Sequence, residues 1–188
     1  MEKSYTMTIA GLQRELPLCR LNEHVSIAAF VIFGDVPLTV ASSTALLEKA
    51  PAFDVLITAE AKGIPLVYEM ARQSEKPYFI ARKYPKLYMS HPISVDVRSI
   101  TTDKEQTLYL DEGEVEAIRG KRVLIVDDVI STGESLRALE LLSEGLSTYV
   151  TEYTLEIGQY RGPLCDPRRR RCGQARRYLL PGAASPLF

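Results

Sequence analysis

The chain has 188 residues, 46% hydrophobic and 25% charged, with a formal net charge of −1. That length supports one well-buried core and is short for two, and the near-neutral charge argues against an overall nucleic-acid binder. The longest apolar runs fall short of a membrane span, no basic segment followed by an apolar core opens the sequence, and three scattered cysteines make no disulfide framework or zinc site, so a single cytoplasmic domain is expected.

In chain order, apolar runs of strand length alternate with helical patterns. "HVSIAAFVIF" (24–33) reads as a strand and "PLTVASSTALLEKA" (37–50) as a helix. "FDVLITAE" (53–60) is a second buried strand. "GIPLVYEMARQ" (63–73) is a helix with Ile64, Val67, Tyr68 and Ala71 on one face. "PYFIAR" (77–82) and "KRVLIVD" (121–127) are further strands, and "ESLRALELLSEG" (134–145) is a helix ended by its glycine. Continuous Val/Ile/Leu strands separated by helices indicate a mainly parallel α/β sheet covered on both faces, with ligands bound beyond the carboxyl ends of its strands. Between residues 84 and 120 the pattern changes to short alternating stretches, "SVDVRSITT" and "QTLYLDEG", which read as a β excursion or flap.

The most informative stretch is "VLIVDDVISTGES" (123–135). Ser131 and Glu134 have capping-box spacing, which accounts for "STGE" without any ligand. The adjacent Asp127 and Asp128 are not explained that way, because two neighbouring carboxylates at a strand end repel each other. A ligand offering hydroxyls, or a metal bridging to it, would use both. The turn that follows sets unpaired backbone N–H groups and the hydroxyls of Ser131, Thr132 and Ser135 at a helix N-terminus, where a phosphate is favoured. A diol beside a phosphate describes a ribose 5-phosphate.

This stretch resembles the phosphoribosyl pyrophosphate signature of type I phosphoribosyltransferases: four apolar residues, two acids, two apolar residues, a small residue, then Thr-Gly. The resemblance implies that Asp127 and Asp128 hold the ribose hydroxyls, and that Ser131, Thr132, Gly133, Glu134 (through its N–H) and Ser135 hold the 5′-phosphate. "TAEAKGIP" (58–65) resembles the family's pyrophosphate loop, with Ala61, Lys62 and Gly63 as its members. "ARKYPKLY" (81–88) resembles the adenine phosphoribosyltransferase pattern and puts Lys83 and Lys86 on the pyrophosphate, Lys83 in a catalytic role with Asp127 and Asp128. An isolated Lys62 would otherwise be an ordinary solvated lysine, and Arg82 an ordinary ion-pair former.

The resemblance runs from about residue 53 to 145. It implies a single type I phosphoribosyltransferase domain: a mainly parallel central sheet flanked by helices, a small N-terminal hood on the base side (1–36), a flexible β flap (84–110) and an atypical tail (158–188). It further implies purine salvage from 5-phosphoribosyl 1-pyrophosphate, Mg²⁺ bound mainly through the substrate, and a homodimer with no nucleic-acid or membrane partner. The base is expected to be adenine, giving AMP. Xanthine or another 6-oxopurine, or a regulator that binds phosphoribosyl pyrophosphate without turnover, remain alternatives. Two departures stand out. The adenine enzymes' "FRD" segment has no clear equivalent in "VIFGDVPLTV", and their flap glutamate falls near Thr102, with Asp103 and Glu105 close by.

The tail is unusual. Six of the fifteen arginines lie in "RRRRCGQARR" (168–177), no acid follows Asp166, and the ordinary reading is a solvated or nucleic-acid-binding run. Back-translating "CDPRRRRCGQARRYLLPG" (165–182) with permitted codons and dropping the first base allows "AILADGDAAKRDDIYFL", a strand, a polar turn and a second strand resembling the end of this family's domain. The hypothesis is that a local frame change replaced the last native strands, and the segment is then expected to be irregular.

Overall fold

Eight segments, β1, Ser4–Ile9; β2, Leu12–Arg20; β3, Ser26–Ala28; α1, Val36–Leu47; β4, Val55–Ala59; α2, Ile64–Ser74; β5, Tyr78–Ala81; and β6, Pro92–Arg98, make up the first half of the computed structural model. The remainder comprises β7, Glu105–Asp111; α3, Glu112–Ile118; β8, Arg122–Asp127; α4, Glu134–Glu144; β9, Tyr149–Thr154; β10, Gln159–Arg161; and β11, Arg177–Leu179. The structure describes residues 4–20, 26–98, 105–129, 134–144, 149–154, 159–161 and 177–179. No helix among them is long and apolar enough to cross a membrane.

Three of the expected strands, β4, β5 and β8, form a parallel sheet with β9, which the sequence reading did not mark, in the order β5-β4-β8-β9. Alternation along the central strands divides the core into two layers. Val55, Ile57 and Ala59 of β4 and Val123 and Ile125 of β8 face α4, α3 and β7 through Leu136, Leu139, Val115, Ile118, Leu108 and Leu110. Leu56, Leu124 and Val126 face the other way, onto Leu38 and Leu46 of α1 and Leu66, Val67 and Met70 of α2. Each such side chain taken fully out of water contributes roughly 1.5–3 kcal/mol before ordering costs. Because both of their faces are covered, β4 and β8 carry no polar alternation, which is why they read as continuous apolar runs.

The chain leaves β4 for its neighbour β5 through α2, and leaves β8 for its neighbour β9, on the opposite side, through α4. The two connections therefore diverge at the β4–β8 pair, and their first residues flank a crevice at the carboxyl ends of those strands.

Several expectations shift. Among the described residues of the 24–33 run, Ser26–Ala28 forms a strand paired with β2; Phe30 and Ile32 are buried but leave the ladder, filling the core beneath α1. On α2 the buried face is Leu66, Val67, Met70 and Ala71, while Tyr68 is 53% exposed, because the face is set by contact with α1 and β4. Within the N-terminal segment, β1 and β2 form a hairpin whose two-residue turn, Ala10-Gly11, takes positive φ at both positions. Such turns are usually signalled by Asn-Gly or Asp-Gly, and Ala-Gly hides this one. This hairpin is tied to α1 by Arg14, whose Nη2 donates to Asp35 Oδ1 at 2.9 Å, while Oδ1 also accepts the Leu38 N–H at 3.1 Å and caps the helix.

The 84–120 stretch contains the β6–β7 hairpin and then α3, whose first turn is closed by the Asp111 N–H donating to Glu114 Oε2 at 2.9 Å. Arg82 and Tyr109 exchange backbone hydrogen bonds of 2.9 and 2.8 Å, so the root of the hairpin is joined to the end of β5. In the tail, β11 pairs antiparallel with β10, apart from the four-stranded sheet, where an irregular segment was expected. The rest of 165–182 lies outside the described residues.

Candidate functional site

Asp127 is the last residue of β8, and Asp128 follows it at the carboxyl end of that strand. The Asp128 N–H donates to Asp127 Oδ1 at 2.9 Å. Asp128 is buried, 4% exposed, and its Oδ2 has no hydrogen-bond partner among the described residues. Burial, reinforced by the charge of Asp128, pushes the Asp127 carboxyl up to about 7; the Asp128 N–H and the more distant Lys62 ammonium act in the other direction. The fold has thus brought two acids together where it resists the ionisation of Asp127 and leaves one oxygen of Asp128 unsatisfied. Unpaired buried acceptors are costly, and a ligand donor that reaches them removes that cost.

The residues after β4 form the opposite wall. Glu60 still belongs to the ladder through its N–H, which donates to Ala81 O at 2.9 Å, and the chain then turns through Ala61, Lys62 and Gly63 into α2. Gly63 is required by close approach. A Cβ there would collide with Thr58 Oγ1 and come within 3.2 Å of Asp127 Oδ1. Ala61 and Lys62 are exposed at the turn, while Gly63 is buried against β8. The loop expected to meet a diphosphate and the acids expected to meet a ribose are therefore in direct apposition.

Lys83 and Lys86 arrive on the segment following β5. The Lys83 N–H donates to Glu60 Oε2 at 3.2 Å, and the Lys86 Nζ lies 3.3 Å from Glu60 Oε1. Burial opposes ionisation of Glu60, but these two contacts hold its carboxyl below the usual range. Arg82, beside them, keeps a buried Nε without a hydrogen-bond partner among the described residues.

Of the phosphate turn, Ser131, Thr132 and Gly133 lie outside the described residues, as do Thr102 and Asp103 of the flap. Glu134 and Ser135 open α4, the helix that follows β8 in the chain, and Glu105 opens β7. Sequence reasoning passed over Glu60 and Thr58. The signal for Glu60 was available: an acid set between a strand end and a lysine-bearing loop.

Among the described residues no cluster of three or more His, Cys, Asp or Glu side chains could hold a metal ion. The donors present are hard carboxylate oxygens, one of them buried and unpartnered, and that chemistry fits Mg²⁺ completed by ligand oxygens.

The sequence model of the phosphoribosyl transferase domain matches residues 43–147. Curated relatives include a hypoxanthine/guanine phosphoribosyltransferase of Methanotorris igneus, 42% identical over 87 residues that make up 46% of this chain and 43% of that protein. Another, from Methanosarcina acetivorans, is 32% identical over 109 residues, 58% of this chain and 54% of that protein. The chain spans about half the length of these relatives. Among solved structures, adenine phosphoribosyltransferase from Saccharomyces cerevisiae, complexed with an imino-altritol bisphosphate and adenine, superposes with a TM-score of 0.60 at 19% identity, covering 74% of this chain and 83% of that one. The Thermoanaerobacter pseudethanolicus adenine phosphoribosyltransferase gives 0.58 at 20% identity, with 73% and 81% covered. At such identities the likeness is one of fold. The matched span holds both walls of the crevice, from the β4 loop to the Asp127–Asp128 pair and the start of α4, and the chain belongs to the type I phosphoribosyltransferase family.

Proposed function

We propose that this chain is a purine phosphoribosyltransferase, joining a free purine base to 5-phosphoribosyl 1-pyrophosphate to give a nucleoside 5′-monophosphate and pyrophosphate. The observation that carries this reading is the apposition of Asp127 and Asp128 to the Ala61–Gly63 turn across the β4–β8 crevice. In this assignment Asp127 and Asp128 accept hydrogen bonds from the ribose hydroxyls. Ala61, Lys62, Gly63, Lys83 and Lys86 take the diphosphate, and Ser131, Thr132, Gly133, Glu134 and Ser135 take the 5′-phosphate.

A purine nitrogen forms the new bond to C1 as the C1–O bond to pyrophosphate breaks, with inversion at C1. The bonding electron pair departs on the pyrophosphate oxygen, and the purine N–H proton is released. The cation-like ribose is stabilised by the nearby carboxylates, and the leaving group by the lysines. Mg²⁺, when bound, supplies charge neutralisation for the diphosphate. Closure of the 84–110 segment would exclude water, which competes with the base for the same carbon.

The base we assign is a 6-oxopurine, hypoxanthine or guanine, since relatives 32–42% identical bear that name. Adenine is the second reading, supported by the "ARKYPKLY" segment at 81–88. A homodimer belongs to the same reading. Exposed Val36, Val40 and Tyr68, around a cavity of about 220 Å³ between α1 and α2, form the apolar face that a second copy would cover, which sedimentation would test.

The decisive assay mixes the protein with phosphoribosyl pyrophosphate, Mg²⁺ and, separately, adenine, hypoxanthine, guanine and xanthine, and follows pyrophosphate release. Release with hypoxanthine or guanine supports the 6-oxopurine assignment, and release with adenine alone replaces it with the second reading. Binding of phosphoribosyl pyrophosphate without release for any base would make the chain a regulatory binder.

A further inference from the structure

Glu60 has no place in the assignment above, yet it touches two of the positions that do. It lies one residue beyond β4, with its backbone fixed by the hydrogen bond to Ala81. Its side chain bridges the next segment, one oxygen accepting the Lys83 N–H and the other facing the Lys86 ammonium. The far end of that segment is also anchored: the Met89 N–H donates to Lys86 O at 3.0 Å, the Lys86 N–H points to Met89 Sδ at 3.5 Å, and Met89 is buried. The backbone around Lys86 is thus fixed from both sides. The side chains of Lys86 and Glu60 are 34% and 26% exposed, so the ion pair is open to a competing anion from solvent.

A carboxylate beside a ligand-binding ammonium has two opposed effects. It holds the lysine in position, and it neutralises the charge that an anionic ligand would meet while repelling that ligand. The two can be separated, because a glutamine side chain retains an oxygen acceptor for the Lys83 N–H but carries no charge.

We propose that Glu60 is an internal counter-anion of the site, which holds Lys86 at the carboxyl end of β4 and competes with a diphosphate group for its ammonium. The inference rests on the transferase reading and specifies how the diphosphate side of that site is tuned. A nucleoside monophosphate has no diphosphate and does not enter this competition. Glu60 therefore weakens pyrophosphate binding selectively and favours its departure after turnover.

The test is calorimetric titration of inorganic pyrophosphate, at fixed Mg²⁺ and ionic strength, into wild-type protein, Glu60→Gln, Lys86→Ala and the double variant. E60Q is expected to bind pyrophosphate about two- to fivefold more tightly, the range for a part-exposed ion pair. Its affinity for nucleoside monophosphate should match wild type, and the gain should vanish in the Lys86→Ala background. Unchanged or weaker pyrophosphate binding by E60Q, or a gain that persists without Lys86, overturns the inference alone. Wild-type protein that binds neither pyrophosphate nor phosphoribosyl pyrophosphate overturns the transferase reading, and this inference with it.

Discussion

Asp128 donates its backbone N–H to the side chain of the residue before it, Asp127, at 2.9 Å, while its own buried Oδ2 has no partner among the described residues. One carboxylate is partly satisfied by the chain and the other is kept for something else. Replacing both with asparagine should reduce pyrophosphate release at least about 100-fold, since charge-assisted contacts are worth roughly 1.5–3 kcal/mol each. The fold should survive, because asparagine keeps the shape and removes a repulsion. Circular dichroism and a melting curve check this, and unfolding under mild conditions would make the acids structural.

The same pair predicts a pH dependence of stability. The Asp127 carboxyl titrates near 7 in the native protein against an ordinary 3.8. Between those values the native state keeps a proton that the unfolded chain has lost, so this group's contribution falls as pH rises from about 4 to about 7 and is fully unfavourable above. The loss is on the order of 2–4 kcal/mol. Urea unfolding at several pH values should show wild type losing ground to Asp127→Asn across this window. A difference that does not change with pH would give Asp127 an ordinary titration.

Gly63→Ala tests the close approach of the β4 loop to β8. The added methyl meets the hydroxyl of Thr58, a fully buried residue, and crowds Asp127. Overpacking of this kind costs about 1–3 kcal/mol, and displacement of the loop should lower turnover as well. A variant with wild-type melting temperature and activity would show that the crevice relaxes freely.

Alanine at Lys83 and Lys86 should weaken phosphoribosyl pyrophosphate and pyrophosphate binding far more than that of nucleotide product, because only the first two carry a diphosphate. Each lost contact should cost roughly 1.5–3 kcal/mol. Equal losses for all three ligands, measured by titration, would return both lysines to the ordinary surface.

For the tail we propose the frame-changed origin of 165–182. Substituting "AILADGDAAKRDDIYFL" for that segment should raise the melting temperature, because an apolar strand can bury surface where clustered arginines would bury unpaired charge. A level or lower melting temperature removes the structural half of the idea. Sequencing the source DNA tests the origin, which fails if no single-base insertion or deletion relates the two readings.

The parallel sheet was legible in the sequence because strands buried on both faces need apolar side chains at every position, as in "VLIVD" and "DVLIT". The acid pair was legible because its repulsion has no local explanation. Other features had no local signature. The β1–β2 hairpin turns on Ala10 at positive φ, which residue type does not announce, and the buried face of α2 follows from its contact with α1 rather than from its own periodicity. Above all, the meeting of Gly63 with Asp127 and of Glu60 with Lys86 joins residues 64 and 26 positions apart. Sequence determined which side chains stand at strand ends; only strand order, with β4 beside β8 and their connections diverging, decided which of those ends share a crevice.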